Sequence, residues 1–223
     1  MMSATKRTFD LLGAVAGLAV IWPLLVLVAL AIKLEDGGSV FFRQTRVGLR
    51  GRPFRIWKFR TMVSDAERQG RAITVANDAR VTRVGGFLRR FKLDELPQLF
   101  NVVSGEMSLV GPRPDVPRYV AQYGPAQQRV LELVPGITSP ANLAYHDEAE
   151  LLAGAPDPER MYVQQVMPDK IRIHLAYADG ATPWSDLLMV LRTVVHILPG
   201  TDGLRRAPAR PDRAPLLQDA RHE

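Results

Sequence analysis

The sequence predicts an α/β, mostly helical protein: an N-terminal re-entrant membrane helix, then a compact cytosolic domain with interfacial amphipathic helices and a small β-hairpin. The first observation is an uncharged apolar run over residues 11–32, since roughly 20 such residues suffice to cross a bilayer. The second is that basic residues flank the run on both sides, Lys6 and Arg7 before it and Lys33 and Arg43 after it. The third is a pair of strand patterns followed by several helical ones in the roughly 190 remaining residues, enough for one globular domain.

The apolar run carries Pro23 near its centre. Proline lacks a backbone N–H and clashes with the carbonyl one turn earlier, at Ala19, so a helix bends there. Because Lys and Arg concentrate on the cytoplasmic side of membrane helices, both flanks are expected in the cytoplasm. A helix that enters the membrane, bends at Pro23 and returns satisfies both observations. A kinked spanning helix stays an alternative, whereas a cleaved signal peptide is disfavoured because its apolar core is usually ~7–15 residues long.

The composition of the chain excludes some kinds of site and favours some kinds of partner. The chain has no cysteine, which excludes disulfides and thiolate metal sites, and its four histidines are scattered. The net charge of +6 favours anionic partners: phospholipid headgroups, phosphorylated substrates or nucleic acid. Nucleic acid is not expected, because a nucleic-acid binder gives no reason for the apolar run.

Behind the membrane segment, residues 40–46 and 54–61 have strand patterns, and residues 48–53 form the turn of a hairpin. Lys58 and Arg60 flank Phe59 near the end of the second strand, where cations can reach a phosphate. Residues 64–67 resemble a capping box that opens a short helix.

An amphipathic helix is predicted next. Its apolar residues recur at i, i+3, i+4 and i+7, namely Val84, Phe87, Leu88 and Phe91. Arginines lie in and around it at positions 80, 83, 89 and 90. This combination is typical of a helix in the headgroup layer, the alternative being a surface helix packed on a soluble core.

Three further helices are predicted. The first covers residues 96–103, with Asp94 and Glu95 at its start, Pro97 in its first turn and Gly105 after it. The second covers residues 117–133. The third is capped by Ser185 or Asp186 and has an apolar stripe for the core or the membrane, formed by Leu187, Leu191, Val194 and Leu198. The domain boundaries expected are 1–36 for the membrane helix, 37–200 for the globular domain and 201–223 for a disordered tail rich in Pro, Ala, Arg and Asp.

Asp94 and Glu95 are the strongest candidates for chemistry. Adjacent acidic residues are common on solvated helices and by themselves indicate little. Here they lie at a helix N-terminus, which stabilises carboxylates and binds phosphate, and Arg89 and Arg90 precede them by about one turn. An ionised Asp can act as a nucleophile that forms an acyl phosphate, and a divalent metal frequently screens the phosphates in such reactions.

These residues fall within a series of ordered motifs: FRQ with Arg46 and Gly48, KFRTM at 58–62, LDELPQL at 93–99, GEMSLVGPRP at 105–114 and VPGITSP at 134–140. The series resembles the bacterial sugar transferases, the small monotopic polyprenyl-phosphate phosphoglycosyl transferases. The likeness runs from about residue 6 to residue 198.

The resemblance implies a re-entrant membrane helix, interfacial helices and a compact α/β domain on the cytoplasmic face of the bacterial inner membrane, in contact with phospholipid. It also implies transfer of a sugar 1-phosphate from a UDP-sugar to undecaprenyl phosphate with release of UMP. Asp94 would be the nucleophile that carries the phosphosugar, and Glu95 would hold Mg²⁺ with it or assist the acceptor phosphate. The basic residues that match substrate-binding positions are Lys58, Arg60, Arg89 and Arg113. One departure is that Trp22 precedes Pro23, where the family often has a Ser that can satisfy the freed carbonyl.

Two other classes of membrane protein are alternatives for the function of this chain. A CDP-alcohol transferase would need several spanning helices and a multi-aspartate motif, and the sequence has neither. A non-catalytic membrane scaffold would tolerate changes at Asp94 and Glu95. The sequence leaves open which sugar is moved, whether the chain forms a homo-oligomer, and whether the glycan is a capsule, exopolysaccharide, O-antigen or glycoprotein.

Overall fold

The computed structural model describes residues 3–66 and 78–197. The chain begins with α1 (Ala4–Asp36), a helix of 33 residues that continues through Pro23. The Ser3 hydroxyl accepts a hydrogen bond from the Lys6 N–H at 3.1 Å and caps its start. Gly37, with φ of 72°, ends it. Among the helices described, α1 is the one that is long and apolar enough to cross a membrane.

Both halves of α1 pack against the same globular domain. In the first half, Ala14 is fully buried in a cluster with Phe54, Ile56, Val102 and Met107. Polar contacts add to it, because Arg7 donates to the Val102 carbonyl at 2.6 Å.

The second half of α1 joins another cluster, in which Val28 and Ile32 pack with Phe59 and Leu88. At its end, the Glu35 carboxylate accepts the Val84 N–H at 3.1 Å, and Asp36 forms an ion pair with Arg60. The two ends of the apolar helix are therefore tied to one domain.

The predicted hairpin is confirmed. Strands β1 (Phe41–Val47) and β2 (Pro53–Phe59) are antiparallel, with Phe41 opposite Phe59 and Val47 opposite Pro53. A 3₁₀ turn at Leu49–Gly51 joins them, and Gly51 adopts φ of 73°, a conformation that favours glycine.

Helix α2 (Arg83–Arg90) ends one residue before Phe91, the last residue of the predicted apolar pattern, and its apolar residues lie in two environments. Leu88 is 1% exposed and packs on the second α1 cluster, whereas Phe87 is 57% exposed. Leu88 therefore packs in the core of the domain, as the alternative of a surface helix on a soluble core predicts. Phe87 is exposed and is available to contact a surface outside the domain.

The helix predicted over residues 96–103 is divided into two elements in the structure. A 3₁₀ turn at Leu93–Gln98 leads into α3 (Leu99–Ser104), which ends at Gly105 with φ of 86°. Pro97 has no N–H to donate to a preceding turn, so the first turn lacks one α-helical hydrogen bond and winds more tightly. Asp94 and Glu95 thus lie inside the first turn.

A second sheet was not predicted. Strands β3 (Ser108–Val110) and β4 (Gly136–Thr138) are parallel, with Ser108 opposite Gly136. The backbones approach so closely that a Cβ on Gly136 would lie 2.0 Å from the Gly111 nitrogen. This contact fixes the loop after β3, which contains Arg113.

The predicted helix over 117–133 is wrong as a single element. The chain forms α4 (Pro117–Val120), α5 (Pro125–Gln128) and a 3₁₀ turn at Arg129–Glu132. Gly124 has an extended backbone with ψ of 166° because the proline after it disfavours the helical region.

The remaining helices are α6 (Pro140–Ala144), α7 (Glu148–Ala153), α8 (Pro158–Met161), a π-helical segment at Tyr162–Val166, α9 (Met167–Ala178) and α10 (Pro183–Ile197). Helix α10 begins before the predicted cap, because the Ser185 N–H donates to the Thr182 hydroxyl at 3.1 Å. The short helix expected from residue 64, Leu198 and the tail at 201–223 lie wholly or largely outside the described residues.

Candidate active site

The Asp94–Glu95 pair lies on the wall of a large open cavity between the hairpin, α2 and the loop after β3. The left-handed backbone of Lys92, with φ of 53°, turns the chain sharply before the 3₁₀ turn that carries both acids. Asp94 is 7% exposed. Two adjacent carboxyl groups are thus held largely out of water at the edge of an open cleft.

The Glu95 carboxylate contacts two cations. Arg113 forms a two-pronged contact with its carboxylate, with Nη1 at 3.0 Å from Oε2, and Lys58 Nζ lies 2.8 Å from Oε1. Burial alone would raise the pKa of Glu95, but Arg113 and Lys58 outweigh burial and hold this pKa well below its usual range. Glu95 is therefore ionised, and its charge organises the two cations.

Asp94 has a different environment. Lys58 Nζ is 4.0 Å from its Oδ2, too far for a hydrogen bond, and within the described part of the chain its carboxylate forms no side-chain hydrogen bond. Burial raises the pKa of Asp94, the charge of Glu95 raises it further, and Lys58 opposes both. An ionised Asp94 is consequently less well stabilised than Glu95, which favours a nucleophile over a structural charge.

Lys58 and Arg89 bring cations to this carboxylate from two elements. Lys58 lies on β2, and burial lowers its pKa although Glu95 opposes that change. Arg89 lies in the last turn of α2, and its Nε donates to the Thr61 hydroxyl at 2.8 Å. Burial also lowers the pKa of Arg89, while the nearby charge of Asp94 raises it.

Arg60 is not brought to the Asp94 carboxyl. Its guanidinium pairs with Asp36 at the end of α1 and donates to the Ser64 hydroxyl at 2.7 Å. Residues two apart share a face of a strand, but β2 ends at Phe59, so Arg60 and Lys58 no longer point to the same side. Pro23 lies on α1, away from these contacts.

A metal would have limited protein ligands here. Among the described residues, no group of three or more acidic or histidine side chains could hold a metal ion. Mg²⁺ usually takes one or two carboxylates together with substrate phosphates and water. Asp94 retains its acceptor capacity, and Glu95 has lone pairs beyond those used by Arg113 and Lys58. The pair fits a Mg²⁺ that is completed by the phosphates of a substrate.

The family model described as bacterial sugar transferase matches residues 1–200. This chain belongs to the bacterial sugar transferase family.

Several curated relatives support this membership. The sugar transferase is 41% identical over 204 residues to the UDP-glucose:undecaprenyl-phosphate glucose-1-phosphate transferase of Caulobacter vibrioides, covering 86% of this chain and 69% of that protein. It is 38% identical over 198 residues to the UDP-N-acetylgalactosamine-undecaprenyl-phosphate N-acetylgalactosaminephosphotransferase of Aeromonas hydrophila, covering 87% of this chain and 44% of the relative. The chain therefore spans less than half of the Aeromonas protein. The two relatives are named for different sugars.

The side chains of this sugar transferase that hold the Arg113 loop were not among the residues predicted from the sequence. Arg46 on β1 donates to the Pro114 carbonyl at 3.2 Å, and the Tyr162 hydroxyl donates to Asp115 at 2.7 Å. The Val47 N–H also donates to the Asp115 carbonyl at 2.9 Å. Arg46 falls within a recognised motif, but the contact to Tyr162 joins positions 47 residues apart and has no local signal.

Proposed function

We propose that this chain transfers a sugar 1-phosphate from a UDP-sugar to undecaprenyl phosphate and releases UMP. The observation that carries the proposal is the unequal environment of the two acids. Glu95 is held by Arg113 and Lys58, whereas Asp94 is buried beside cations and forms no side-chain hydrogen bond with any other residue that the structure describes. The names of the relatives, which are undecaprenyl-phosphate sugar phosphotransferases, support the same reaction.

In the first step, an Asp94 carboxylate oxygen attacks the phosphorus that bears the sugar. The bond from this phosphorus to the oxygen bridging the two phosphates breaks, and UMP leaves with the electron pair. The products are UMP and an acyl phosphate between Asp94 and the sugar phosphate. Arg89 and Lys58 offset the negative charge that gathers on the phosphate oxygens.

In the second step, a phosphate oxygen of undecaprenyl phosphate attacks the same phosphorus. The acyl phosphate bond breaks, Asp94 regains its carboxylate, and the lipid diphosphate sugar is the product. Such a product is the first membrane intermediate of a glycan, whether exopolysaccharide, capsule, O-antigen or glycoprotein. Because the acceptor is a lipid, the reaction requires the cavity to lie at headgroup height.

Three short exposed apolar surfaces support binding of the domain to a phospholipid membrane. Exposed residues recur along one side of α10 at i, i+4, i+7 and i+11, namely Trp184, Leu188, Leu191 and Val195. Phe100 and Val103 on α3 and Phe87 on α2 are also exposed. All three helices contact α1, so these surfaces adjoin the apolar helix. We propose that they rest on the cytoplasmic face of the inner membrane.

The contacts of α1 support a re-entrant path. A spanning helix separates its ends by a hydrocarbon layer of about 30 Å, and only one of them could then touch a domain on one face. Here Arg7 and Ala14 near one end and Ile32 and Asp36 near the other contact the same domain. We therefore propose that both ends of α1 are on the cytoplasmic side.

Labelling from opposite sides tests this topology. The chain has no cysteine, so Met2→Cys and Ser39→Cys each provide a single label. Both are expected to react with a membrane-impermeant maleimide in inverted vesicles, and neither in intact spheroplasts. Labelling of the two variants from opposite sides would mean that α1 spans the membrane, and would leave the catalytic proposal standing.

Mg²⁺ would supply charge neutralisation for the diphosphate, with Asp94 and Glu95 as its protein ligands. Removal of divalent cations with EDTA is expected to lower UMP release by at least about a hundredfold, because phosphoryl transfer depends largely on charge stabilisation. Added Mg²⁺ should restore the activity, whereas added Na⁺ at equal ionic strength should not. Unchanged UMP release in EDTA would refute the metal requirement.

The direct test of the function is an assay of UMP release from a panel of UDP-sugars with undecaprenyl phosphate, using purified protein in detergent or nanodiscs. The reaction predicts UMP and a lipid-linked sugar diphosphate with at least one donor. The absence of UMP with every donor, in protein that melts cooperatively, would contradict the proposal.

A further inference from the structure

Thr61, the residue between Arg60 and Met62 in the KFRTM motif, has a contact that the proposed reaction does not yet use. It is 6% exposed, and its Oγ1 accepts a hydrogen bond from Arg89 Nε at 2.8 Å. This hydroxyl joins the end of β2 to the last turn of α2. A hydrogen bond to a charged donor is among the stronger ones in proteins.

The backbone of Thr61 also sets where α2 sits. Its carbonyl accepts the Thr82 N–H at 3.1 Å, directly before the helix begins. A Cβ on Gly85 would lie 2.1 Å from that same carbonyl oxygen, so α2 rests on Thr61 at a distance that only glycine permits. Gly85 and Arg89 are four residues apart and share a face of the helix. The side chain of Arg89 is thus directed back to the strand that carries Lys58.

The same strand end is held on its other side by the membrane helix. Arg60 pairs with Asp36 at the end of α1, and the Arg60 N–H donates to the Val40 carbonyl at 2.9 Å. Thr61 thus directly follows a residue that is paired with the end of α1. Its hydroxyl is a fixed point against which a flexible arginine can be oriented.

An arginine has five N–H donors, one at Nε and four at the two Nη atoms. When Thr61 takes the Nε donor, the guanidinium plane is fixed and its two-pronged end remains for a phosphate. We propose that Thr61 is a positioning residue that holds Arg89 Nε, so that the Nη groups meet the phosphate bound beside Asp94. This inference rests on the proposed function, in which Arg89 contacts that phosphate.

The first test compares Thr61→Val, which removes the acceptor and keeps the branched shape, with Thr61→Ser, which keeps the hydroxyl. We expect Thr61→Val to lower kcat for UMP release about tenfold, which corresponds to one hydrogen bond to a charged group, with the melting temperature and vesicle binding close to wild type. Thr61→Ser should stay within about twofold of wild type. Thr8→Val is the control with the same substitution, because Thr8 is not among the residues that line the cavity and its hydroxyl donates only to the Ala4 carbonyl, at 3.1 Å, in the first turns of α1.

The second test is a double-mutant cycle with Arg89→Lys, assayed at high enzyme concentration and long times so that a ten-thousandfold loss is measurable. Lysine has no Nε–H group of this kind, so adding Thr61→Val to Arg89→Lys should change kcat less than twofold. A full tenfold loss in the Arg89→Lys background, or wild-type kcat for Thr61→Val alone, would overturn the inference. Failure of the proposed function is distinct, because then wild-type protein releases no UMP from any donor.

Discussion

Replacing Asp94 with asparagine is expected to abolish both UMP release and the covalent phosphosugar intermediate. An amide nitrogen and its carbonyl oxygen are poor nucleophiles, so no acyl phosphate can form, and a loss of a thousandfold or more is expected. The measurements are UMP release under saturating donor and mass spectrometry of protein incubated with donor alone. Wild-type protein should gain the mass of the sugar phosphate on Asp94, and the variant should not.

The same substitution should not damage the fold. Burial raises the pKa of Asp94 above its ordinary value of 3.8, so the folded protein disfavours the ionised carboxylate. The stability associated with this group is complete below pH 3.8 and is lost as the pH rises through the raised pKa. At neutral pH, Asp94→Asn removes that disfavoured charge, and its melting temperature should equal or exceed that of wild type.

Asp179→Asn is the control for Asp94→Asn, because Asp179 is exposed and lies at the end of α9. It should leave UMP release, the adduct and the melting temperature unchanged. Near-normal turnover of Asp94→Asn, or an adduct on another residue, would remove the proposed mechanism while leaving the family membership intact.

Glu95→Gln is expected to have the opposite effect on stability. It leaves the partly buried cations of Arg113 and Lys58 beside each other without the carboxylate that compensates both. Leaving charged donors without their acceptor typically costs about 1–3 kcal/mol, and in a chain of this size that lowers the melting temperature by roughly 5 °C. Activity should fall as well, because Lys58 and Arg113 lose the group that orients them.

The pH dependence separates this explanation from a simple packing defect. Because Arg113 and Lys58 hold the pKa of Glu95 below its ordinary value of 4.5, its contribution to the free energy of unfolding is complete above pH 4.5 and is lost as the pH falls through the lowered pKa. The stability difference between wild type and Glu95→Gln should therefore shrink in acid. Glu150→Gln, at an exposed position of α7, should show no such difference, and a gap that is constant with pH would contradict the electrostatic account.

Patterns of neighbouring residues were sufficient to predict the elements whose formation depends on neighbours in the sequence. The apolar run, its basic flanks and the strand pair around a glycine-containing turn each depend on neighbours in sequence, and α1 and the β1–β2 hairpin lie where these patterns indicate. The ordered motifs also identified the family. The helix expected over 117–133 failed for a local reason too: the Gly124-Pro125 step interrupts it.

Other features depend on contacts between distant residues. The β3–β4 pairing joins three-residue strands, too short for a periodic signal. Whether Leu88 and Phe87 face the core or a surface depends on where α1 packs. The direction of Arg60 depends on where β2 ends and on the position of Asp36.

The sequence by itself determined that this protein has an apolar N-terminal helix, a basic domain and an adjacent Asp-Glu pair within the motifs of a sugar transferase. Only the tertiary structure decided that the two acids differ. Arg113 and Lys58 are brought to Glu95 from a loop and a strand, and this leaves Asp94 buried with no side-chain hydrogen bond from residues 3–66 or 78–197. The reason is that burial and charge compensation are set by groups far apart in the chain, whereas composition and periodicity register only near neighbours.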